Sequence, residues 1–256
     1  MPYTGTEMMV VSAARALRDG DRVFVGIGFP NLACNLAKRL HAPRIEMIYE
    51  AGVIGANPTR LPLSIGDPGL VTRAGLVCSM FEVFAFYLQR GLVDVGFMGA
   101  AQVDRYGNLN STVIGPYSHP KVRLAGSGGA ADIACLARKL FILTPHQVRR
   151  FPARVDFLTS PGFLSGRQQR QALGLPGGGP ALVITDKGLL EFDETGEMIL
   201  TSLHPGVALE EVKANTGWDL KVAPELRVTP EPTAEELHLL RQELDPAGIY
   251  LRDSAA

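Results

Sequence analysis

Apolar and polar residues follow one another in two rhythms along this chain, and each change of rhythm marks an element. Val10, Ala14 and Leu17 recur at helical spacing after Thr4 and Glu7, which stand at the spacing of a capping box, with Gly20 beyond as a C-cap. A first helix is therefore predicted there. Residues 22–26 (RVFVG) read as a buried strand, 31–40 as a helix and 45–50 (IEMIYE) as a second strand. Helical spacing returns at 81–90, followed by a strand at 93–98. Further strands are predicted at 140–143, 181–185 and 189–192, and helices near 210–215 and over 234–244. The last of these has its own capping box, Thr233 with Glu236, and an apolar stripe of Leu237, Leu240 and Leu244. Alternating strands and helices predict an α/β fold, a mostly parallel sheet with helices on both faces.

Residues 51–72 break the pattern: they are rich in Gly and Pro and have no periodicity, so a long loop is predicted directly after Glu50. Loops of that length in compact proteins usually carry function. Gly177, Gly178 and Gly179 read as a tight connector, and with no repeat or low-complexity tract the whole of 1–256 is expected to form one domain.

Composition narrows the class. Hydrophobic residues make up 46% and charged residues 20%, which suits a compact, ordered chain. The 25 Lys and Arg against 26 Asp and Glu leave a net charge of -1, so no basic field exists to gather nucleic acid or an acidic membrane. No apolar run approaches the ~20 residues of a spanning helix, and the N-terminal stretch lacks a signal pattern, so a cytoplasmic location is expected. Cys34, Cys78 and Cys135 are far apart and have no His at ligand spacing, so they read as core residues and no metal site is expected.

Four segments carry candidate chemistry. Gly26-Ile-Gly28-Phe-Pro30-Asn31 joins a strand to a helix, where backbone amides can meet an anion. Glu50, about 20 residues on, completes an imitation of a dinucleotide site and raises a nicotinamide-dependent oxidoreductase as a rival reading. Asn31 replaces the third glycine of that fingerprint, however, and Pro30 has no amide to offer. Glu50 closes an apolar strand and is followed by the small residues Ala51 and Gly52, which leave its carboxylate open at the sheet edge where α/β folds bind ligands. A solvated strand-end glutamate is the ordinary alternative. In the third segment, residues 99–110, Gln102, Asn108 and Asn110 offer amides to a substrate carboxylate or carbonyl, or else form a plain turn. In the fourth, Gly126-Ser-Gly128-Gly129 allows backbone amides to approach a reacting oxygen, with a flexible turn as the alternative. His41, His119, His146, His204 and His238 are scattered and are expected to make local hydrogen bonds.

Taken in order, Gly26-Ile-Gly-Phe-Pro30, Tyr49-Glu50-Ala51-Gly52, the run from Gly99 through Gln102 to Asn108, and Gly126-Ser-Gly-Gly129-Ala resemble the beta subunit of the class I coenzyme A transferases, in particular glutaconate CoA-transferases. The likeness continues through Thr159-Ser-Pro-Gly162, Thr185-Asp-Lys-Gly188 and Pro205-Gly206, and so covers nearly the whole chain. It implies a Rossmann-like chain that pairs with a homologous alpha subunit in a hetero-oligomer. It assigns the catalytic glutamate to Glu50 and the oxyanion-binding glycines to Gly128 and Gly129; Gly26, Gly28, Gln102 and Asn108, read from the segments themselves, are the candidate substrate contacts. In the 3-oxoacid branch Asn-Gly follows the glutamate, whereas Ala51-Gly52 follows here, a departure that favours a glutaconate-like acid.

A glutamate suits such chemistry because carboxylates, with an ordinary pKa of about 4.3, are ionised at neutral pH and attack a thioester without a neighbouring base. Coenzyme A then serves as substrate and carrier, and no separate cofactor is expected. An acyl-CoA hydrolase or a ring-opening hydrolase on the same scaffold is the nearest alternative.

Overall fold

The computed structural model describes residues 2–58 and 60–251. The chain forms two compact units, one of residues up to Phe97 together with those from Pro230 on, the other Met98–Thr229.

The first unit is built on a βαβ repeat. Strand β1 (Arg22–Phe24) leads through helix α2 (Phe29–Leu40) to β2 (Glu46–Tyr49), which lies parallel beside β1, with Phe24 opposite Ile48. On the other flank of β1 runs β5 (Val95–Met98), also parallel. The strand order thus reverses at β1, which opens a crevice at the carboxyl ends of the strands. Val23, Met47 and Tyr49 are wholly buried on the α2 side of the sheet with Leu32 and Leu36, and Ile48 is buried on its other face.

Helix α1 (Gly5–Arg15) starts at the predicted capping box: Thr4 Oγ1 accepts from the Glu7 amide at 3.1 Å, and Glu7 Oε2 accepts from the Thr4 amide at 2.8 Å. It ends before Gly20, whose positive φ of 86° serves the turn into β1 instead. The C-terminal helix, Ala234–His238 continued by a wider π-helical turn over Leu239–Leu244, starts at the second predicted box. These two helices are locked together twice. Arg241 forks the buried Glu7 at 2.6 and 2.8 Å, and Arg15 forks Glu236 at 2.8 and 2.7 Å. Each capping-box glutamate therefore closes its own helix and anchors an arginine of the other.

The segment after Glu50 is not the single loop its composition predicts. The chain turns at once into β3 (Val53–Ile54), antiparallel to β2, and later into β4 (Leu76–Val77) on β3, with a 3-10 turn at Pro68–Val71 between them. Helix 81–90 is likewise corrected: α3 (Met80–Glu82) lasts one turn and then widens into π-helix over Val83–Leu88. Apolar spacing reports a buried face and cannot separate these geometries.

In the second unit two small hairpins, β6 (Gln102–Val103) with β7 (Leu109–Asn110) and β8 (Val113–Ile114) with β9 (Val122–Arg123), precede α4 (Ala130–Leu136) and β10 (Leu140–Leu143). Strand β10 lies parallel to β11 (Pro180–Ile184); β12 (Gly188–Phe192) runs against both β11 and β13 (Met198–Leu203), and β14 (Lys221–Val228) closes the order parallel to β13. Helices α5 (Arg167–Ala172) and α6 (Leu209–Ala214) complete the unit. Gly177 and Gly178 act as the expected connector, because a Cβ on either would come within 2.5 or 2.2 Å of a carbonyl oxygen in residues 135–138.

Candidate functional site

Glu50 is the first residue of a three-residue hairpin loop, Glu50-Ala51-Gly52, that reverses β2 into β3 between the paired Tyr49 and Val53. The turn is closed by the Gly52 amide on the Tyr49 carbonyl at 3.0 Å and stapled from outside by the Cys78 amide on the Gly52 carbonyl at 2.8 Å. Gly52 has a φ of +97°, and a Cβ there would lie 1.9 Å from the Cys78 oxygen, so no other residue fits without moving backbone. The half-buried Glu50 carboxylate has no hydrogen-bond or ion-pair partner among the described residues.

Beneath it, the hydroxyl of the buried Tyr49 donates to Asn31 Oδ1 at 2.8 Å, which also accepts from Asn35 Nδ2 at 2.9 Å. This small polar network ties the end of β2 to the first turn of α2. Gly26 and Gly28 lie in the loop from β1 to α2. Gly26 follows β1 and Glu50 follows β2, so both lie past the carboxyl ends of two adjacent parallel strands. A Cβ on either glycine would meet nothing within 4 Å, Gly28 caps α2 with no side-chain bond, and the amides from Gly26 to Phe29 donate to no protein acceptor among the described residues. The first unit thus gathers Gly26, Gly28 and Glu50 around one open edge.

Gln102, Asn108, Gly128 and Gly129 belong to the second unit. Loop 126–129 is anchored by the Gly126 amide on the Ser111 carbonyl at 2.8 Å and the Ser111 hydroxyl on the Gly126 carbonyl at 2.7 Å. Gly128 takes a φ of +48° with open space around it, and the amides of Ser127, Gly128 and Gly129 donate to no protein acceptor among the described residues.

Asn108 departs from its expected part. Its Nδ2 donates to Asp104 Oδ2 and the Leu164 carbonyl at 3.0 and 2.8 Å, and its Oδ1 accepts from the Gly162 and Leu164 amides at 2.9 and 3.0 Å. Both ends of the amide are engaged inside the protein, so Asn108 clamps residues 162–164 and has no bond left for a substrate. Asp104 completes this clamp, and burial pushes its carboxyl above the ordinary range against the pull of Asn108 and the Tyr106 amide. Gln102 is half engaged: its Oε1 accepts from Asn110 Nδ2 and the Asp156 amide at 2.8 and 2.9 Å, while its amide nitrogen has no partner among the described residues. Asp104 and Asn108 also line a cavity of about 530 Å³ with Tyr106, Arg154, Leu158 and Gln169, which no sequence pattern signals.

A βαβ unit that presents an unpartnered carboxylate and free backbone amides at its carboxyl edge is the ligand edge of an open-sheet α/β enzyme. A family model described as Coenzyme A transferase matches residues 6–215, and the chain belongs to that family. The beta-type subunit of the 3-oxoadipate CoA-transferase of Pseudomonas knackmussii is 50% identical over 240 residues, covering 93% of this chain and 92% of its own. The corresponding subunit of the glutaconate CoA-transferase of Acidaminococcus fermentans is 40% identical over 257 residues, 98% of this chain and 96% of its own. The crystal structure of glutaconate CoA-transferase from that organism matches 98% of both chains with a TM-score of 0.92 at 39% identity. The cholesterol ring-cleaving hydrolase IpdB subunit of Mycobacterium bovis is 26% identical over 98% of each chain. The family match and the two transferase relatives support CoA transfer between an acyl-CoA and a carboxylate. Among the described residues no helix is long and apolar enough to cross a membrane.

Proposed function

We propose that this chain is the nucleophile-bearing subunit of a heteromeric acyl-CoA:carboxylate CoA-transferase, with Glu50 as the nucleophile. The observation that carries the reading is the Glu50 carboxylate itself, unpartnered on a stapled hairpin at the same strand edge as the free amides of loop 26–29. A glutamate whose position is fixed by its neighbours but whose oxygens bond to nothing is arranged for reaction rather than for stability.

In this mechanism the Glu50 carboxylate attacks the thioester carbonyl and expels the CoA thiolate, leaving an acyl-glutamyl anhydride. The thiolate then attacks the Glu50 carbonyl of that anhydride; the first acid departs as its carboxylate and a glutamyl-CoA thioester remains. A second acid reverses both steps and leaves with CoA, which restores Glu50. Coenzyme A is substrate and carrier throughout. The Gly128 and Gly129 amides suit the tetrahedral oxyanion, a contribution typically of about 3 to 4 kcal/mol.

The relatives are each named as one subunit of their enzyme, which makes a homologous alpha subunit the expected partner. Exposed apolar side chains after the hairpin, Leu63, Val71, Val77, Phe81 and Phe86, suit a surface that a second chain covers. Both relatives are named for dicarboxylic acids, and the 50% identity to the 3-oxoadipate enzyme against 40% to the glutaconate enzyme favours 3-oxoadipate as the acid, in place of the glutaconate-like acid inferred from Ala51.

Incubating the complex with acyl-CoA alone, followed by borohydride reduction and peptide mass mapping, tests the reading. Reduction is expected at Glu50, and Glu50→Gln abolishes transfer. A label on another residue, or parental transfer by Glu50→Gln, overturns it. Acyl-CoA turnover that does not depend on an added carboxylate assigns the chain to hydrolysis instead.

A further inference from the structure

The hairpin of β8 and β9 lies outside the chemistry described so far. From Ser111 to Ala131 the chain has no Asp or Glu but carries His119, Lys121 and Arg123. Residues 116–119 and 121–123 are exposed. Near the tip, the Phe157 ring stacks on Tyr117 at 5.3 Å, and the Arg123 guanidinium carbon lies 4.8 Å from the Tyr117 ring centroid. Arg123 Nη2 also donates to the Tyr117 carbonyl at 3.3 Å.

This stack holds a guanidinium in place without neutralising it. Neither Arg123 nor Lys121 has a carboxylate partner among the described residues. The acid that faces the hairpin, Asp156, takes the Gly115 amide at 2.8 Å, at the strand end of the loop. A cation already fixed by ring contact loses little freedom when it binds, and a planar guanidinium beside a lysine matches phosphate oxygens. Gly115, with a φ of +83°, leaves room for the Lys121 stem, since a Cβ there would lie 3.2 Å from Lys121 Cγ.

The hairpin is also joined to the proposed oxyanion loop. The Leu124 amide donates to the Thr112 carbonyl at 3.0 Å and the Gly126 amide to the Ser111 carbonyl at 2.8 Å, so the ladder continues from β8–β9 into loop 126–129. From Lys121 to Gly128 the chain spans at most roughly 23 Å when extended. A pantetheine arm covers such a reach, so one ligand can touch both ends.

We infer that the β8–β9 hairpin binds the phosphate groups of coenzyme A through Lys121 and Arg123, with Tyr117 as the residue that positions Arg123. The inference rests on the reading of the chain as part of a CoA-transferase. It is tested on the assembled enzyme with an acyl-CoA, the corresponding acyl-dephospho-CoA, which lacks the 3′-phosphate, and acyl-pantetheine, which lacks the nucleotide. Lys121→Ala and Arg123→Ala are each expected to raise KM for acyl-CoA about tenfold, the loss of one charge-assisted contact, while kcat and KM for the carboxylic acid stay within about twofold. Turnover of acyl-pantetheine is expected to be unchanged in both variants. Tyr117→Ala repeats the KM effect, whereas Tyr117→Phe retains most of the affinity. Unchanged acyl-CoA KM in both alanine variants overturns the inference and leaves the transferase reading standing. Equal losses with acyl-pantetheine, or dissociation of the complex on size exclusion, overturn it too, since either makes the hairpin structural. Lack of acyl-CoA turnover by the parent enzyme removes the transferase reading, and the inference with it.

Discussion

Glu50 and Gly52 work as a pair in the proposed mechanism, in which one residue supplies the reactive group and the other fixes the turn that carries it. Gly52→Ala places a Cβ 1.9 Å from a backbone oxygen at a φ of +97°, so the hairpin must open. The expected cost is about 2 kcal/mol or more in chemical denaturation, together with a large fall in kcat. Gly26→Ala provides the contrast: its Cβ meets nothing within 4 Å and its φ is not positive, so stability stays within about 0.5 kcal/mol of the parent. Glu50→Asp withdraws the carboxylate by one methylene, and a misplacement of about 1 Å costs roughly 100-fold in a positioned reaction. Transfer should collapse while slow acyl-CoA hydrolysis, followed by thiol release without added acid, persists or rises. At this scale the sequence was legible where the backbone needs a small residue, as at Gly52 in the turn after β2. It misjudged Asn108, because an amide that donates to a substrate and an amide that clamps a distant backbone look alike until residues 162–164 are seen against it.

Among the elements, those announced by local chemistry were legible. Both capping boxes stand where Thr4, Glu7, Thr233 and Glu236 predicted them, and β10 has the predicted bounds. His41, His146 and His204 are engaged in hydrogen bonds as expected of scattered histidines, but with partners 24, 70 and 25 residues away. Elements fixed from a distance were not legible: β3 exists because β2 and β4 flank it, and β14, which contains Pro224, is admitted as the last strand of its sheet, where a missing amide is tolerated. The crossed pairing of Glu7 with Arg241 and Glu236 with Arg15 was equally hidden, since the partners lie over 200 residues apart. It has a measurable consequence. Burial raises each carboxyl pKa, but hydrogen bonds from the arginine and the capping threonine outweigh it, so both fall below the ordinary 4.5. A carboxylate whose pKa is lowered by folding stabilises the fold above its unfolded pKa and loses that contribution as pH falls through the folded value. Stability should therefore decline below about pH 4.5, and Glu7→Gln should flatten that decline in denaturation curves taken between pH 5 and pH 3.

For the whole molecule, the two units differ in how the chain supplies them. Met98–Thr229 is continuous, whereas the Glu50-bearing unit is interrupted after Phe97 and completed only from Pro230 on. Ending the chain after Thr229 removes Arg241 and Glu236, and with them both anchors of α1. Amide hydrogen exchange on such a truncated chain should show α1 and α2 unprotected, while β10 to β13 keep protection close to that of the full chain.

The double arginine lock between α1 and the C-terminal helix also sets an order of events on the ribosome. Translation delivers α1 first, but its two arginine–glutamate partners are made more than 200 residues later. At a synthesis rate of about 5 to 20 residues per second, the nascent first helix waits for roughly ten seconds or more with its buried face uncovered. Met98–Thr229 is under no such delay and can condense while still tethered. Glu50 thus acquires its finished surroundings only after Glu236 and Arg241 have been made, so a nascent polypeptide carries the carboxylate well before the unit around it is complete.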